Sequence, residues 1–117
     1  MPSNEPQWTS KFPGKPSRGS TTGRPLMVLL DILGQKWTLR ILWELQKSKR
    51  LSFRGLRTAC DEVSPTLLNR RLKMLRELAF VDLEKEGFGL TRLGDELTSE
   101  FARLDSWANR WADQFNQ

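Results

Sequence analysis

Thr66, Asn69, Arg70 and Lys73 set a hydroxyl, an amide, a guanidinium and an ammonium within two turns of a segment that reads as a helix. At about 100° per residue these four share one side with Glu77, while Leu67, Leu68, Leu72, Leu75 and Leu78 fall on an arc from about 100° to 240° measured from Thr66. In a major groove a guanidinium can fork onto guanine and an amide onto adenine, and each such contact contributes roughly 1–3 kcal/mol of discrimination. Helices that read DNA do so with their N-terminal half, so Thr66, Asn69 and Arg70 are the candidates for base edges.

Phosphate contacts fix register without carrying sequence information. Lys73 suits that role, one turn further along the same side, and so does Ser64 at the helix start. Arg54 and Arg57 in a short preceding helix, Lys36 ahead of an earlier one, and Lys85 in a later hairpin are further candidates. Arg71 falls near 140°, beside the leucine stripe, so its stem packs and its guanidinium either pairs with a carboxylate or bends out to a phosphate.

The charge distribution favours this chemistry. The 117 residues carry a net charge of +5, but residues 36–76 alone sum to +8, against −5 for residues 77–117 and +2 for residues 1–35. A basic middle before an acidic end assigns one part of the chain to a polyanion and another to different work. With no His and one Cys, neither a structural zinc site nor a Ser/His or Cys/His catalytic pair can be built, and no internal disulfide can form. No metal or cofactor is expected. An enzyme is the weakest reading, since only carboxylates and lysines would remain for chemistry. No apolar run approaches the roughly 20 residues of a membrane span, and the N-terminus lacks a signal-peptide layout. A cytoplasmic protein is expected.

Residues 1–23 hold four of the six prolines and three of the eight glycines, which predicts a flexible basic arm. Residues 24–117 read as one domain. Pro25 opens a first helix with Leu26, Leu29, Leu30 and Leu33 on its apolar face, and Gly34 stops it. A second helix spans about Trp37 to Gln46, with Leu39, Leu42, Trp43 and Leu45 available to the core. Leu51-Ser52-Phe53 reads as a short strand, followed by a short helix carrying Leu56, Ala59 and Cys60. Ser64 and Pro65 give a sharp N-cap and first-turn signal for the helix that carries the candidate reading side. Phe80 to Lys85 alternates as a strand, Gly87 and Gly89 punctuate a hairpin, and Thr91 caps a last helix over about 91–117. On that helix Leu93, Leu97, Phe101, Leu104, Ala108, Trp111 and Phe115 recur every three or four residues.

Helices, then a hairpin, then a further helix is the order of a winged helix-turn-helix, mainly α with a small β-hairpin wing. The wing carries Asp82, Glu84 and Glu86 against Lys85, an acidic tip that a phosphate backbone repels.

Leu33-Gly34-Gln35-Lys36-Trp37-Thr38-Leu39, Ile41-Leu42-Trp43-Glu44-Leu45, Phe53-x-x-Leu56, Ser64-Pro65-x-x-Leu68-x-x-Arg71-Leu72-Lys73-x-Leu75 and Leu90-Thr91-x-Leu93-Gly94-x-Glu96-Leu97 together resemble the HxlR-type winged helix-turn-helix transcriptional regulators. The resemblance covers about residues 25–112. It implies a homodimeric regulator that binds double-stranded DNA, with a fold like that of MarR-type proteins and dimerisation through the first and last helices. Leu26, Leu30, Phe101, Leu104, Trp107, Ala108, Trp111 and Phe115 are the residues expected at that interface, and Leu93 and Leu97 are expected in the core. Two departures stand out. The family's reactive Cys before the first core helix has no counterpart in Thr22-Gly23-Arg24-Pro25, and Cys60 reads as a buried, inert thiol. The wing is also short and lacks the family's basic character.

Two other binding roles fit the same composition. A winged helix could present its basic face to an acidic protein partner. RNA binding would call for stacking aromatics, which are scarce in the basic middle. The sequence names no small-molecule effector.

Overall fold

The structure is a computed structural model, and it describes residues 24–116. Its elements are α1 (Pro25–Leu33), α2 (Thr38–Lys47), α3 (Phe53–Ala59), α4 (Pro65–Glu77), β1 (Val81–Glu84), β2 (Gly87–Leu90) and α5 (Arg92–Asp113). Mainly helical with one antiparallel hairpin, this is the winged-helix order expected. The described residues divide into two compact units, the first ending at Ile41 and the second beginning at Leu42. No helix among the described residues is long and apolar enough to cross a membrane.

In the first unit α1 starts on Pro25, where a missing N–H costs nothing, and ends at Gly34. Val28 and Ile32, one turn apart, are its buried residues, while Leu26 and Leu30 are exposed and Leu29 and Leu33 half-buried. The expected apolar face is therefore displaced. Every residue of α1 except Asp31 is apolar, so periodicity had no contrast with which to choose a side. Trp37 takes a left-handed backbone angle (φ 76°) just before α2. At the start of α2 Thr38 and Ile41 are buried, and Leu39, expected in the core, is exposed.

In the second unit Leu42 and Leu45 of α2, Leu56 of α3, Leu68, Leu72, Met74 and Leu75 of α4, Val81 and Phe88 of the hairpin, and Cys60 and Val63 between helices are buried. Leu51-Ser52-Phe53 is not a strand. Leu51 makes a single antiparallel bridge to Phe88, with N–H donated each way at 3.0 and 2.8 Å. Ser52 instead caps α3, its hydroxyl accepting from Gly55 N at 2.9 Å, and that local bond ends any strand at once.

Both helix ends flanking α4 close in the same way. At the end of α3, Asp61 N–H donates to Thr58 O and Glu62 N–H to Arg57 O; at the end of α4, Ala79 N–H donates to Arg76 O and Phe80 N–H to Leu75 O. These are Schellman pairings, and the left-handed position is filled by Asp61 (φ 56°) and Ala79 (φ 67°) instead of the usual glycine.

The hairpin pairs Val81 with Leu90 and Glu84 with Gly87 across a Lys85-Glu86 turn. Gly87 takes φ 119°, and a Cβ there would lie 2.5 Å from the Leu51 carbonyl oxygen, so only glycine fits. Thr91 then ties three elements. Its hydroxyl accepts from Gly94 N at 3.0 Å, capping α5, and donates to Ala79 O at 2.6 Å. Gly94 is buried where α5 meets the Phe80 carbonyl, and a Cβ would overlap that oxygen. Leu93, expected in the core, is exposed; Gly94 and Thr98 are the buried residues of α5. The helix ends at Asp113, so Phe115 sits in a turn beyond it.

Candidate nucleic-acid interface

The candidate reading face is built by two opposed demands on α4. Leu68, Leu72, Met74 and Leu75 must leave water, and their burial fixes the helix roll. The remaining side then has nowhere to go but solvent: Thr66, Asn69, Arg70, Lys73, Arg76 and Glu77 are all exposed. Among the described residues, nothing covers Asn69 or Arg70. Ser64 Oγ accepts from Leu67 N at 3.4 Å and Pro65 occupies the first turn, so the end carrying Thr66 is the ordered, capped end. Pro65 brings no N–H and Leu67 N–H is taken by Ser64 Oγ, which leaves the Thr66 N–H without an intrahelical carbonyl and open to a phosphate.

The other expected contacts fall into different environments. Arg54 on α3 and Lys85 at the hairpin tip are exposed. Lys36, exposed in the turn before α2, belongs to the first unit. Arg71 is half-buried, as its place beside the leucine stripe implied. Burial lowers its guanidinium from the ordinary value, and the charge of Arg70 adds to that.

Arg57 is engaged within the protein. Its Nε donates to Val63 O at 2.8 Å and its Nη1 lies 3.5 Å from Glu62 Oε2, bonds that compete with the expected phosphate contact.

Two residues that sequence reasoning left without a role help to shape this surface. Arg76 is exposed beside Lys73, and both line a shallow groove with Glu77, Val81, Asp82 and Leu83. The 3.6-residue period places Arg76 next to Asn69, and that signal was present in the sequence. Arg50 is the more consequential. Its guanidinium contacts Asp82 Oδ1 at 2.6 Å and Glu84 Oε1 at 2.9 Å, and donates to Gly87 O at 2.9 Å. The hydrogen bond to Asp82 raises Arg50 above its ordinary pKa, helped by the charges of Asp82, Glu84 and Glu86. A bidentate cation thus offsets two of the wing's acids, and the wing's repulsion of phosphate is weaker than its sequence implies.

Apolar side chains are exposed on α1 in the first unit and, separately, on α5 in the second. Leu26 and Leu30 are exposed on α1. On α5 Phe101 and Ala108 are half-buried, while Leu104, Trp107, Trp111 and Phe115 are exposed. Trp107 and Trp111 stack with ring centroids 6.2 Å apart and planes 6° from parallel, and Phe115 meets Trp111 edge-on at 5.8 Å. Cys60 is buried at the end of α3, as its sequence context implied.

Comparison with known proteins agrees with this geometry. The family profile described as HxlR-like helix-turn-helix matches residues 32–116. No curated protein sequence matches the chain. Among solved structures, quinone-bound YodB from B. subtilis superposes with a TM-score of 0.68 at 24% identity, covering 73% of this chain and 96% of that one. A possible HxlR family transcriptional factor from Thermoplasma volcanium GSS1 gives 0.63 at 26% identity, covering 72% and 81%. The activation domain of the phage T4 transcription factor MotA gives 0.59 at 20% identity, covering 76% and 90%, a likeness of fold alone. With a capped helix presenting its polar side, a paired wing behind it and a family match over most of its length, the chain belongs to the HxlR-like helix-turn-helix family of DNA-binding transcriptional regulators.

Proposed function

We propose that the protein binds a specific double-stranded DNA operator as a homodimer, with one α4 from each protomer in successive major grooves. The observation that carries this reading is the exposure of Thr66, Asn69, Arg70 and Lys73 together, on a helix whose opposite side is buried leucine and methionine. Thr66, Asn69 and Arg70 meet base edges. Ser64, Lys73, Arg54, Lys36, Arg71 and Lys85 meet phosphates, with Lys85 the wing's one contact. Leu26 and Leu30 on α1, and Phe101, Leu104, Trp107, Ala108, Trp111 and Phe115 on α5, meet the second copy. The aromatic content of α5 supports this, because exposed Trp and Phe in one row resemble the core of an interface more than an ordinary surface. Such a protein works in the cytoplasm, beside its DNA.

Two-fold symmetry of the protein requires an inverted repeat in the operator, with half-site centres roughly 34 Å apart. Selecting bound fragments from a random duplex pool tests this. The expected result is enrichment of one inverted repeat, with affinity falling as salt rises at a log–log slope of about 0.9 per phosphate neutralised. Equal retention of all duplexes and of unrelated polyanions would instead favour a basic face meeting an acidic protein partner.

A further inference from the structure

Four bonds converge on two residues in the connection between α3 and α4. Glu62 N–H donates to Arg57 O at 2.9 Å, and Arg57 Nε donates to Val63 O at 2.8 Å. Arg57 Nη1 lies 3.5 Å from Glu62 Oε2, while Thr58 Oγ1 donates to Glu62 Oε1 at 3.1 Å. The backbone they hold is unusual. Asp61 and Glu62 are consecutive residues in the left-handed region, at φ 56° and 59°, where a side chain crowds its own carbonyl. A turn of that kind relaxes unless its surroundings over-determine it.

Here one guanidinium fork grips both the carbonyl of Val63 and the carboxylate of Glu62. Val63 is buried and directly precedes Ser64, the cap of α4. The grip therefore acts at the point where the chain enters the candidate reading helix.

We propose that Arg57 and Glu62 are a positioning pair: they lock the α3–α4 turn and so set the angle at which α4 meets DNA, without contacting DNA themselves. This rests on the reading of α4 as the DNA-facing helix. It also inverts the expectation from charge alone. An acid beside a DNA-facing helix end repels phosphate, so removing Glu62 should tighten binding if charge were its only effect. As part of the lock, its removal loosens α4 and erodes discrimination between sequences.

Glu62→Ala and Arg57→Lys test the pair. The second keeps the positive charge but lacks the planar fork that grips two acceptors at once. One readout uses no DNA. Loss of a charge-assisted bond should speed amide exchange at Glu62, Leu67 and Leu68 by about tenfold, while Gly94 and Asp95 at the start of α5 exchange as before. Unchanged exchange at all five amides in both variants overturns the proposal.

The second readout compares a duplex selected by the wild-type protein with a scrambled duplex of the same length. Both variants should lose about tenfold or more of the preference between them, with the salt slope unaltered. Arg57→Lys binding like wild type would identify Arg57 as a phosphate contact and overturn the proposal. So would Glu62→Ala tightening both duplexes equally. Should the wild-type protein prefer no duplex, the DNA-reading function fails, and the exchange rates alone still decide whether the pair locks the turn.

Discussion

Trp111→Ala is the perturbation that bears most directly on the proposed homodimer. Trp111 is 55% exposed in the isolated chain, and of the roughly 250 Å² a Trp can bury this leaves about 140 Å² for a partner. At about 25 cal/mol per Å² that is about 3 kcal/mol per protomer, and a two-fold interface counts it twice. The alanine still covers part of the area, and Trp107 and Phe115 close partly over the gap, so about half survives as a net loss, about 3 kcal/mol of dimer. The dimer dissociation constant should rise more than a hundredfold. Folding of each protomer should lose no more than about 1 kcal/mol, the loss coming from the ring contacts with Trp107 and Phe115. Sedimentation equilibrium over a dilution series gives the constant, and far-ultraviolet dichroism confirms the helices. A wild-type protein that stays monomeric at tens of micromolar, or a variant with an unchanged constant, would rule out the aromatic row of α5 as a dimer surface.

Three substitutions probe the frame that carries α4 and the wing, each read by denaturant unfolding at one fixed protein concentration, since dimerisation couples stability to concentration. Gly94→Ala gains about 1 kcal/mol of helix propensity but drives a methyl group into the Phe80 carbonyl, so a net loss of about 2 kcal/mol is expected; a neutral or stabilising result would mean α5 does not pack so closely. Thr91→Val removes both the α5 cap and the bond to Ala79 O and should cost about 1–2 kcal/mol. Ala79→Gly acts in the opposite direction: relief of the left-handed angle outweighs the entropy added to the unfolded chain, for a gain of about 0.5–1 kcal/mol.

What could be read from the sequence follows the range over which each signal acts. Ser64-Pro65 marks a helix start by bonds made within three residues, and Leu68, Leu72 and Leu75 mark a buried side by spacing alone, so α4 and its exposed face were legible. The Thr91 cap and the glycine-marked hairpin were legible for the same local reasons. Periodicity failed where one polar residue, Asp31, gave it too little contrast, in α1, and where an apolar residue falls at a helix's first turn, as with Leu39 and Leu93. Contacts set by tertiary approach left no trace. Nothing near Arg50 announces that it reaches Asp82 and Glu84, so the wing looked more acidic than its environment makes it. Arg57 and Glu62 are five apart, a spacing that does not pair on a helix, and only the left-handed turn between them brings them together.

In the proposed function the exposed side of α4 distinguishes one duplex from another. Arg70→Ala, assayed against every single base-pair change in a selected operator, measures this position by position. Arg70 is exposed and makes no hydrogen bond or ion pair among the described residues, so the variant should fold normally. The prediction is that discrimination of roughly 1–3 kcal/mol disappears at one base pair in each half-site, with the other positions read as before. A profile indistinguishable from that of the wild-type protein would contradict the assignment of α4 as the reading helix.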